Sequence, residues 1–310
     1  MLNKPVKDID LDSIRGFSDL LDAYLDSGGF MAPLVGKAYR LILEMFGGDY
    51  TVFLSFPADV VATGLRGVLR KLVEEGHVDI IITTCGTWDH DIARSIDSYY
   101  IGDFYMDDVE LHKRNIHRLG NVLVPRDSYG GAIERFMRDL LEYMYTSGVR
   151  ELSTYEMSWW IGERLDESSI LYWAHRRKVP VIVPGPYDGA VGYQIWMFQQ
   201  FKRDFKLDIY KDEKLLSDIV YEARKTGALI IGGGISKHHL LWWNQFRGGL
   251  DIAVQITTGI ELDGSLTGAR LSEAITWGKV RPTGREVSIW GEATTIFPII
   301  IKAALESLRR

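Results

Sequence analysis

Residues 228–239 read ALIIGGGISKHH: a short apolar run, three consecutive glycines and the start of a more polar segment. Short runs of large aliphatic residues suit strands that are buried on both faces, as in a parallel sheet. A glycine-rich turn after such a strand lets the backbone approach a bulky or charged ligand closely. Taken alone, the turn is a weak signal, because it lacks the full spacing of the dinucleotide-binding motif and could be purely structural.

The same alternation of strand-like and helix-like segments recurs along the chain. Helix-like stretches such as 59–76, 130–148 and 215–227 end near glycine, the usual stop signal. The strand-like runs are 51–56, 79–84, 121–124, 180–183, 228–231, 252–257 and 287–290. The pattern predicts an α/β fold with three layers, built on a doubly wound, mostly parallel, Rossmann-like sheet.

The domain organisation follows from what the chain lacks. No Pro-, Gly- or Ser-rich linker, internal repeat or low-complexity tract divides it, so we expect a single domain over residues 1–310. Residues 1–45 resemble a helical entry segment, in which Asp12 or Ser13 could cap a helix that runs toward Leu25. A second helix is expected near Val35 to Phe46.

Composition limits the functional classes. With 46% apolar and 25% charged residues and a net charge of −6, the chain has the balance of a globular protein and lacks the clustered basic residues of a nucleic-acid binder. No apolar run approaches the roughly 20 residues of a membrane-spanning helix, and no secretory signal is evident, so a cytoplasmic location is expected. The single cysteine, Cys85, excludes an internal disulfide, and we predict no metal site.

Polar residues cluster where the predicted strands end, which is where open parallel sheets bind ligands. Together they could line a negatively charged crevice suited to a polyamine, although ordinary loop acids are the common alternative. These carboxylates are Asp89, Asp91, Asp188, Glu261, Asp263, Glu273 and Glu292. His90 and His238 are histidines that could titrate near neutrality and move protons.

Lys279 follows Ile275-Thr276-Trp277-Gly278, so an aromatic wall and a flexible glycine could surround its amine. Desolvation disfavours the ammonium form, and a neutral lysine amine can form a Schiff base. A solvated surface role is the more common one for an arbitrary lysine.

Residues 257–270, TTGIELDGSLTGAR, followed by EAITWGK at 273–279, resemble the signature of the deoxyhypusine synthase family. The similarity extends through the segments 232–234, 237–239, 188–189, 83–86 and 119–125. It covers the chain from about Thr51 to its end.

The resemblance implies a homotetrameric, NAD-dependent transferase, with the 4-aminobutyl group of spermidine moving through an imine on Lys279 to one lysine of the precursor of translation initiation factor 5A. It implies that His238 is the general base. The substrate-binding residues it implies are Asp89, His90, Gly264, Ser265, Leu266, Glu273 and Trp277. The NAD-binding residues it implies are Asp59, Thr84, Cys85, Gly86, Asp188, Gly233, Thr258, Glu292 and Ala293.

Several polar positions of the family's eukaryotic members are altered. They are Asp89, His90, Tyr193, Trp242, Gln255 and Leu266 in this chain. Because each buried polar partner can decide recognition by a few kcal/mol, these changes leave the identity of the amine donor open. The alternatives are a homospermidine synthase-like transferase with a free amine as acceptor, a non-catalytic NAD-binding homologue, and a generic NAD dehydrogenase, which would accumulate NADH.

Overall fold

A computed structural model describes residues 3–309 of the chain. Residues 1, 2 and 310, which belong to the predicted domain, lie outside this range. The described chain forms two compact units, one made of the residues up to Phe56 and from Ser217 onward, the other of Pro57–Leu216. The single domain predicted from the sequence stays a prediction, because such units can belong to one folding domain.

Helices and strands alternate along most of the chain. The helices are α1 (Phe17–Ser27), α2 (Ala32–Gly47), α3 (Leu65–Glu74), α4 (Gly86–Ile96), α5 (Asp108–Lys113), α6 (Ala132–Thr146), α7 (Thr154–Glu163), α8 (Ile170–Arg177), α9 (Ala190–Phe201), α10 (Tyr210–Glu222), α11 (Gly234–Asn244), α12 (Glu273–Thr276) and α13 (Ala293–Leu308). The strands are β1 (Thr51–Phe56), β2 (Ile80–Thr83), β3 (Tyr100–Ile101), β4 (Ile116–Leu119), β5 (Val122–Pro125), β6 (Glu151–Leu152), β7 (Val181–Ile182), β8 (Lys206–Leu207), β9 (Thr226–Ile231), β10 (Leu250–Thr257) and β11 (Val280–Trp290). None of the helices in the described part of the chain combines the length and apolar character needed to cross a bilayer.

The first unit is built on parallel strands in the order β11-β10-β9-β1. Every residue of β9 and nearly every residue of β1 and β10 is buried, which is why these strands read as continuous apolar runs. Helices α2 and α13 contact β10, whereas α11 contacts β1 and β9. This arrangement confirms the predicted α/β class with a parallel sheet.

Close packing in the first unit depends on a glycine in β9. A Cβ atom added at Gly227 would lie 2.3 Å from the sulfur of Met45 on α2. A larger side chain at this point would force the Met45 side chain out of its position between α2 and the sheet.

The second unit contains the parallel pair β2 and β7, in which Ile81 faces Val181. Helix α7 packs on β7 and α8, and α6 packs on α9. The run predicted at 121–124 forms β5, which pairs antiparallel with β3 and β4 in a small separate sheet. Strands of this length carry too little sequence to distinguish parallel from antiparallel pairing.

Several predicted helix boundaries were wrong. The stretch 59–76 is interrupted after a 3₁₀ turn at Ala58–Ala62, and α10 ends at Glu222, before β9. The predicted cap at Asp12 or Ser13 is also wrong, because these residues belong to a 3₁₀ turn capped by Asp10. Helix α1 begins only after Gly16, which has an extended backbone and no side chain that could cap the helix. The second entry helix, α2, contains the predicted 35–46.

A buried ion pair joins three helices of the second unit. Nε of Arg66 on α3 lies 2.7 Å from Oδ1 of Asp91 on α4. The same carboxylate accepts hydrogen bonds from the hydroxyl of Ser169 at 2.7 Å and from the backbone N–H of Leu171 at 2.8 Å, at the start of α8. Asp91, which the sequence placed among possible polyamine ligands, therefore has a structural role.

We expect Asp91→Ala to lower the free energy of unfolding by about 3–5 kcal/mol, because it leaves the buried Arg66 guanidinium without its counter-charge. Urea unfolding followed by circular dichroism measures the change. Asp139→Ala is the control, since that carboxylate is 73% exposed and should matter by less than about 0.5 kcal/mol. Equal stability of the two variants would contradict this role for Asp91.

Candidate active site

The glycine turn after β9 has a definite conformation. Gly232 and Gly234 have φ angles of 66° and 64°, in the left-handed region that disfavours side chains. A Cβ atom at Gly233 would lie 2.3 Å from Cα of Thr267. The turn thus lets residues of the loop after β10 pack directly against the start of α11.

Lys279 is fixed by the short connection between α12 and β11. Gly278 adopts a φ angle of 67°, which ends α12 and turns the chain. The backbone N–H of Lys279 donates to the carbonyl of Ala274 at 2.9 Å, and its carbonyl accepts from the N–H of Leu250 at 3.0 Å. Lys279 precedes a strand, so it does not lie at a strand's carboxyl end, where the sequence reasoning concentrated.

A cavity of about 310 Å³ in the first unit gathers five of the predicted site residues: Lys279, His238, Glu273, Trp277 and Leu266. The remaining lining residues are Lys237, Leu241, Trp242, Gln245, Ala269, Arg270 and Ala274. Helix α11 supplies one wall, and the segment from the loop after β10 to α12 supplies another. The predicted Gly264 and Ser265 belong to the same loop but are exposed and do not line the cavity.

Aromatic rings border the amine and the imidazole. Nζ of Lys279 lies 5.5 Å from the centre of the Trp277 ring, which is 66% exposed. The rings of His238 and Trp242 are nearly parallel, with centres 6.1 Å apart. Burial, and then the charge of Lys279, lower the pKa of His238 below its ordinary value. The imidazole is therefore neutral at pH 7 and can accept a proton.

The predicted substrate ligand Asp89 lies in the second unit and is fully buried. Its carboxylate accepts hydrogen bonds from the N–H groups of Ala190 and Val191 at 2.9 and 2.8 Å and from the hydroxyl of Tyr129 at 2.7 Å. Burial raises the pKa of Asp89. Its carboxylate caps α9, and an amine substrate would have to compete with these hydrogen bonds.

His90, the other predicted substrate residue of the second unit, is partly buried against aromatic rings. Its Nδ1 lies 2.9 Å from the Tyr99 hydroxyl, and its ring centre lies 5.4 Å from that of Tyr129. Burial, aided by the charge of Arg94, lowers the pKa of His90 to about 4. The expectation that His90 titrates near neutrality was therefore wrong.

Acid should destabilise the protein partly through His90. The unfolded chain protonates His90 more readily than the folded chain does, because the folded pKa is about 4 and the ordinary value is 6.5. The free energy of unfolding therefore has its full value above about pH 6.5 and falls as the pH drops toward 4. Between pH 7 and 4.5, His90→Gln should lose about 2 kcal/mol less unfolding free energy than the wild type. Urea titrations at both pH values measure this, with the exposed His112→Gln as control. Parallel losses in all three proteins would contradict the assignment.

The predicted NAD-binding residues are divided between the units. In the second unit, the Thr84 hydroxyl accepts from the N–H of Ala58 at 3.0 Å, beside Asp59, and α4 begins at Gly86 without a side-chain cap. The Cys85 thiol is buried, donates to the carbonyl of Pro186 at 3.0 Å and has a raised pKa because of burial. Asp188 is exposed.

In the first unit, the predicted NAD-binding residues are Gly233, Thr258, Glu292 and Ala293. The Glu292 carboxylate caps α13 by accepting from the N–H groups of Thr294 and Thr295 at 2.9 and 3.1 Å. Helix α11, in contrast, begins without a side-chain cap. Helix N-termini in general favour anions.

A recess of about 500 Å³ adjoins these strand ends, and Arg270 and Trp290 are among its lining residues that were not predicted as site residues. It is lined by Thr258, Ile260, Glu261, Arg270, Trp290 and Gly291. The Arg270 guanidinium lies 4.5 Å from the centre of the Trp290 ring and forms an ion pair with Glu261. The arginine that closes the segment 257–270 was the available signal.

Comparison with known proteins gives consistent results. A family model described as deoxyhypusine synthase matches residues 19–304. The chain is 50% identical over 307 residues to "Probable deoxyhypusine synthase" of Picrophilus torridus, covering 99% of this chain and 98% of that protein. It is 51% identical over 302 residues to the protein of the same name from Thermoplasma volcanium, covering 97% of each. A crystal structure of a candidate deoxyhypusine synthase from Entamoeba histolytica has a TM-score of 0.67 at 24% identity, covers 97% of each chain and shows a shared fold.

Proposed function

Because the chain belongs to the deoxyhypusine synthase family, we propose that it transfers the 4-aminobutyl group of spermidine to one lysine of the precursor of translation initiation factor 5A, with NAD as cofactor. Family membership makes the chain a transferase. The observation that carries the proposal is the cavity that joins Lys279, His238, Glu273 and Trp277. Transfer through a lysine imine needs an amine, a base and a site for a cation, and these side chains supply all of them.

Lys279 is the nucleophile in this proposal. Oxidation of spermidine beside its secondary nitrogen gives an imine, and the amine of Lys279, once it has given a proton to His238, attacks the imine carbon. The carbon–nitrogen bond to 1,3-diaminopropane breaks, which leaves the aminobutyl group as an imine on Lys279. The amine of the acceptor lysine then displaces Lys279, and reduction of the new imine gives deoxyhypusine.

His238 moves protons between these amines. Its neutral ring can accept the proton that each attacking amine must lose, and the resulting imidazolium can protonate the departing amine. Burial, and then the charge of Lys279, lower the pKa of His238, which favours this neutral resting state.

Glu273 and Trp277 hold the cationic donor. The Glu273 carboxylate is exposed at the cavity and can pair with an ammonium group, while the Trp277 ring offers a face to a cation. Leu266 and Trp242 make the remaining wall largely apolar, which suits the methylene groups of a polyamine.

NAD would accept the hydride from spermidine and return it to the final imine. Its assignment is supported by the glycine turn that leads into α11, since such turns let a pyrophosphate approach the backbone, and by the aromatic face of Trp290 in the recess. Gly233, Thr258 and Ala293 would border the dinucleotide in the first unit. For Asp59, Thr84, Gly86 and Asp188, which belong to the second unit, the resemblance alone supports a part in NAD binding.

We also propose a homotetramer and a cytoplasmic location. Association is supported by exposed apolar side chains in the second unit, including Tyr100, Ile101, Phe104 and Tyr105, since monomers rarely expose such groups together.

Intact-protein mass spectrometry of the factor precursor tests the proposed reaction. With NAD and spermidine, the wild-type protein should add an aminobutyl group to one lysine, and Lys279→Arg should be slower by at least about 10³-fold because guanidinium cannot form the imine. Lys302→Arg, at an exposed pair on α13, is the control. A new polyamine formed from added putrescine would indicate the homospermidine synthase-like alternative. Net NADH accumulation would indicate a dehydrogenase, and no turnover a non-catalytic homologue.

His238→Gln should lower kcat by about 10²-fold or more, because the amide cannot take up a proton. The exposed His112→Gln should retain wild-type activity. The rate at which each variant modifies the factor, followed by mass spectrometry, measures both effects. A wild-type rate in His238→Gln would remove the base from the proposed mechanism.

A further inference from the structure

Lys237 on α11 is a lysine buried to 1% exposure beside the candidate active site. Its Nζ donates hydrogen bonds to Oε1 of Gln255 at 3.2 Å, to the carbonyl of Leu266 at 2.8 Å and to the carbonyl of Ala269 at 2.6 Å. An ammonium group has three N–H donors, so these acceptors use all of them. Lysine is almost never buried without such partners.

The loop between β10 and α12 depends on side chains for its hydrogen bonds. Its only regular element is a 3₁₀ turn at Glu261–Asp263. The carbonyl of Thr267 accepts from Nε2 of Gln255 at 3.1 Å and from the hydroxyl of Thr257 at 3.0 Å. Lys237 binds the carbonyls of residues 266 and 269, so three loop carbonyls, those at 266, 267 and 269, accept hydrogen bonds from side chains of α11 and β10.

The anchored residues are also a wall of the cavity. Leu266, Ala269 and Arg270 line it together with Lys237 and Lys279. Without the ammonium of Lys237, two partly buried carbonyls would lose their donor, and the loop would be free to shift so that water could replace it. The position of this wall relative to Lys279 therefore depends on Lys237.

The two lysines of the cavity differ in what they can do. All three N–H groups of Lys237 are engaged, so its nitrogen is held as a donor and is unsuited to attack a substrate carbon. Burial lowers the pKa of Lys237 to about 8, partly opposed by the charge of Glu273, which leaves mostly ammonium at pH 7.

We propose that Lys237 is a positioning residue, which fixes residues 266–269 as the wall against which the amine donor binds. The role goes beyond the chemistry proposed above, and its kinetic consequence rests on that proposed function. It acts on donor binding rather than on the imine chemistry of Lys279.

Lys237→Met tests the role, because it keeps the length of the side chain and removes every donor. We expect hydrogen–deuterium exchange of residues 258–271 to accelerate about tenfold or more, while exchange in α13 stays unchanged. We expect the KM for spermidine to rise about tenfold, as losing charged hydrogen bonds would do, with kcat within about threefold. Lys302→Met, which removes an exposed lysine that pairs with Glu306, is the matched control.

The outcomes separate the role from general instability and from failure of the proposed function. A purely structural lysine would lower the melting temperature and the active fraction, and hence kcat, but leave the KM and the local exchange pattern unchanged, which would overturn the proposal. If Lys237→Met does not fold, Lys237→Gln carries the same expectations in weaker form. If the wild type transfers no aminobutyl group, the proposed function fails, while exchange in residues 258–271 still decides whether Lys237 anchors the loop.

Discussion

The parallel pairing of β9 with both β1 and β10 is the constraint on which the candidate site depends. It places the carboxyl ends of β9 and β10 side by side, so that the glycine turn and the loop after Thr257 begin next to each other. Gly233 then allows the loop to approach within contact of α11, since any side chain there would collide with Thr267. The result is a cavity with α11 on one side and the anchored loop on the other.

Much of the fold follows from local sequence. The boundaries of β1 match the predicted 51–56, and β9 and β10 contain their predicted runs, because strands buried on both faces must be apolar throughout. Boundaries at the helix starts were less predictable. Asp12 is a good capping residue by type, yet the extended conformation of Gly16 delays α1, and only the surrounding structure determines that choice.

Residue type and resemblance together singled out residues that the structure places around one cavity. Glu273, Trp277 and Lys279 lie within one short segment, and the fold brings His238, from the distant helix α11, into the same cavity. For the predicted substrate residues Asp89 and His90, burial determines a different role. Asp89 and His90 are adjacent polar residues in the sequence, yet one caps α9 and the other is held neutral among aromatic rings. Lys237 directly precedes His238 on α11, so the two side chains leave the helix in different directions. The sequence does not reveal that the first is an anchor and the second the proposed base.

Two lysines, Lys237 and Lys279, share the cavity, and only Lys279 is proposed to form a covalent bond with the substrate. Borohydride reduction of the protein in the presence of NAD and spermidine, without the factor precursor, followed by peptide mapping, tests this directly. Reduction of the imine to a secondary amine should leave an aminobutyl group on Lys279, only when both NAD and spermidine are present. An aminobutyl group on Lys237, or factor modification by a protein that yields no adduct under these conditions, would contradict the account.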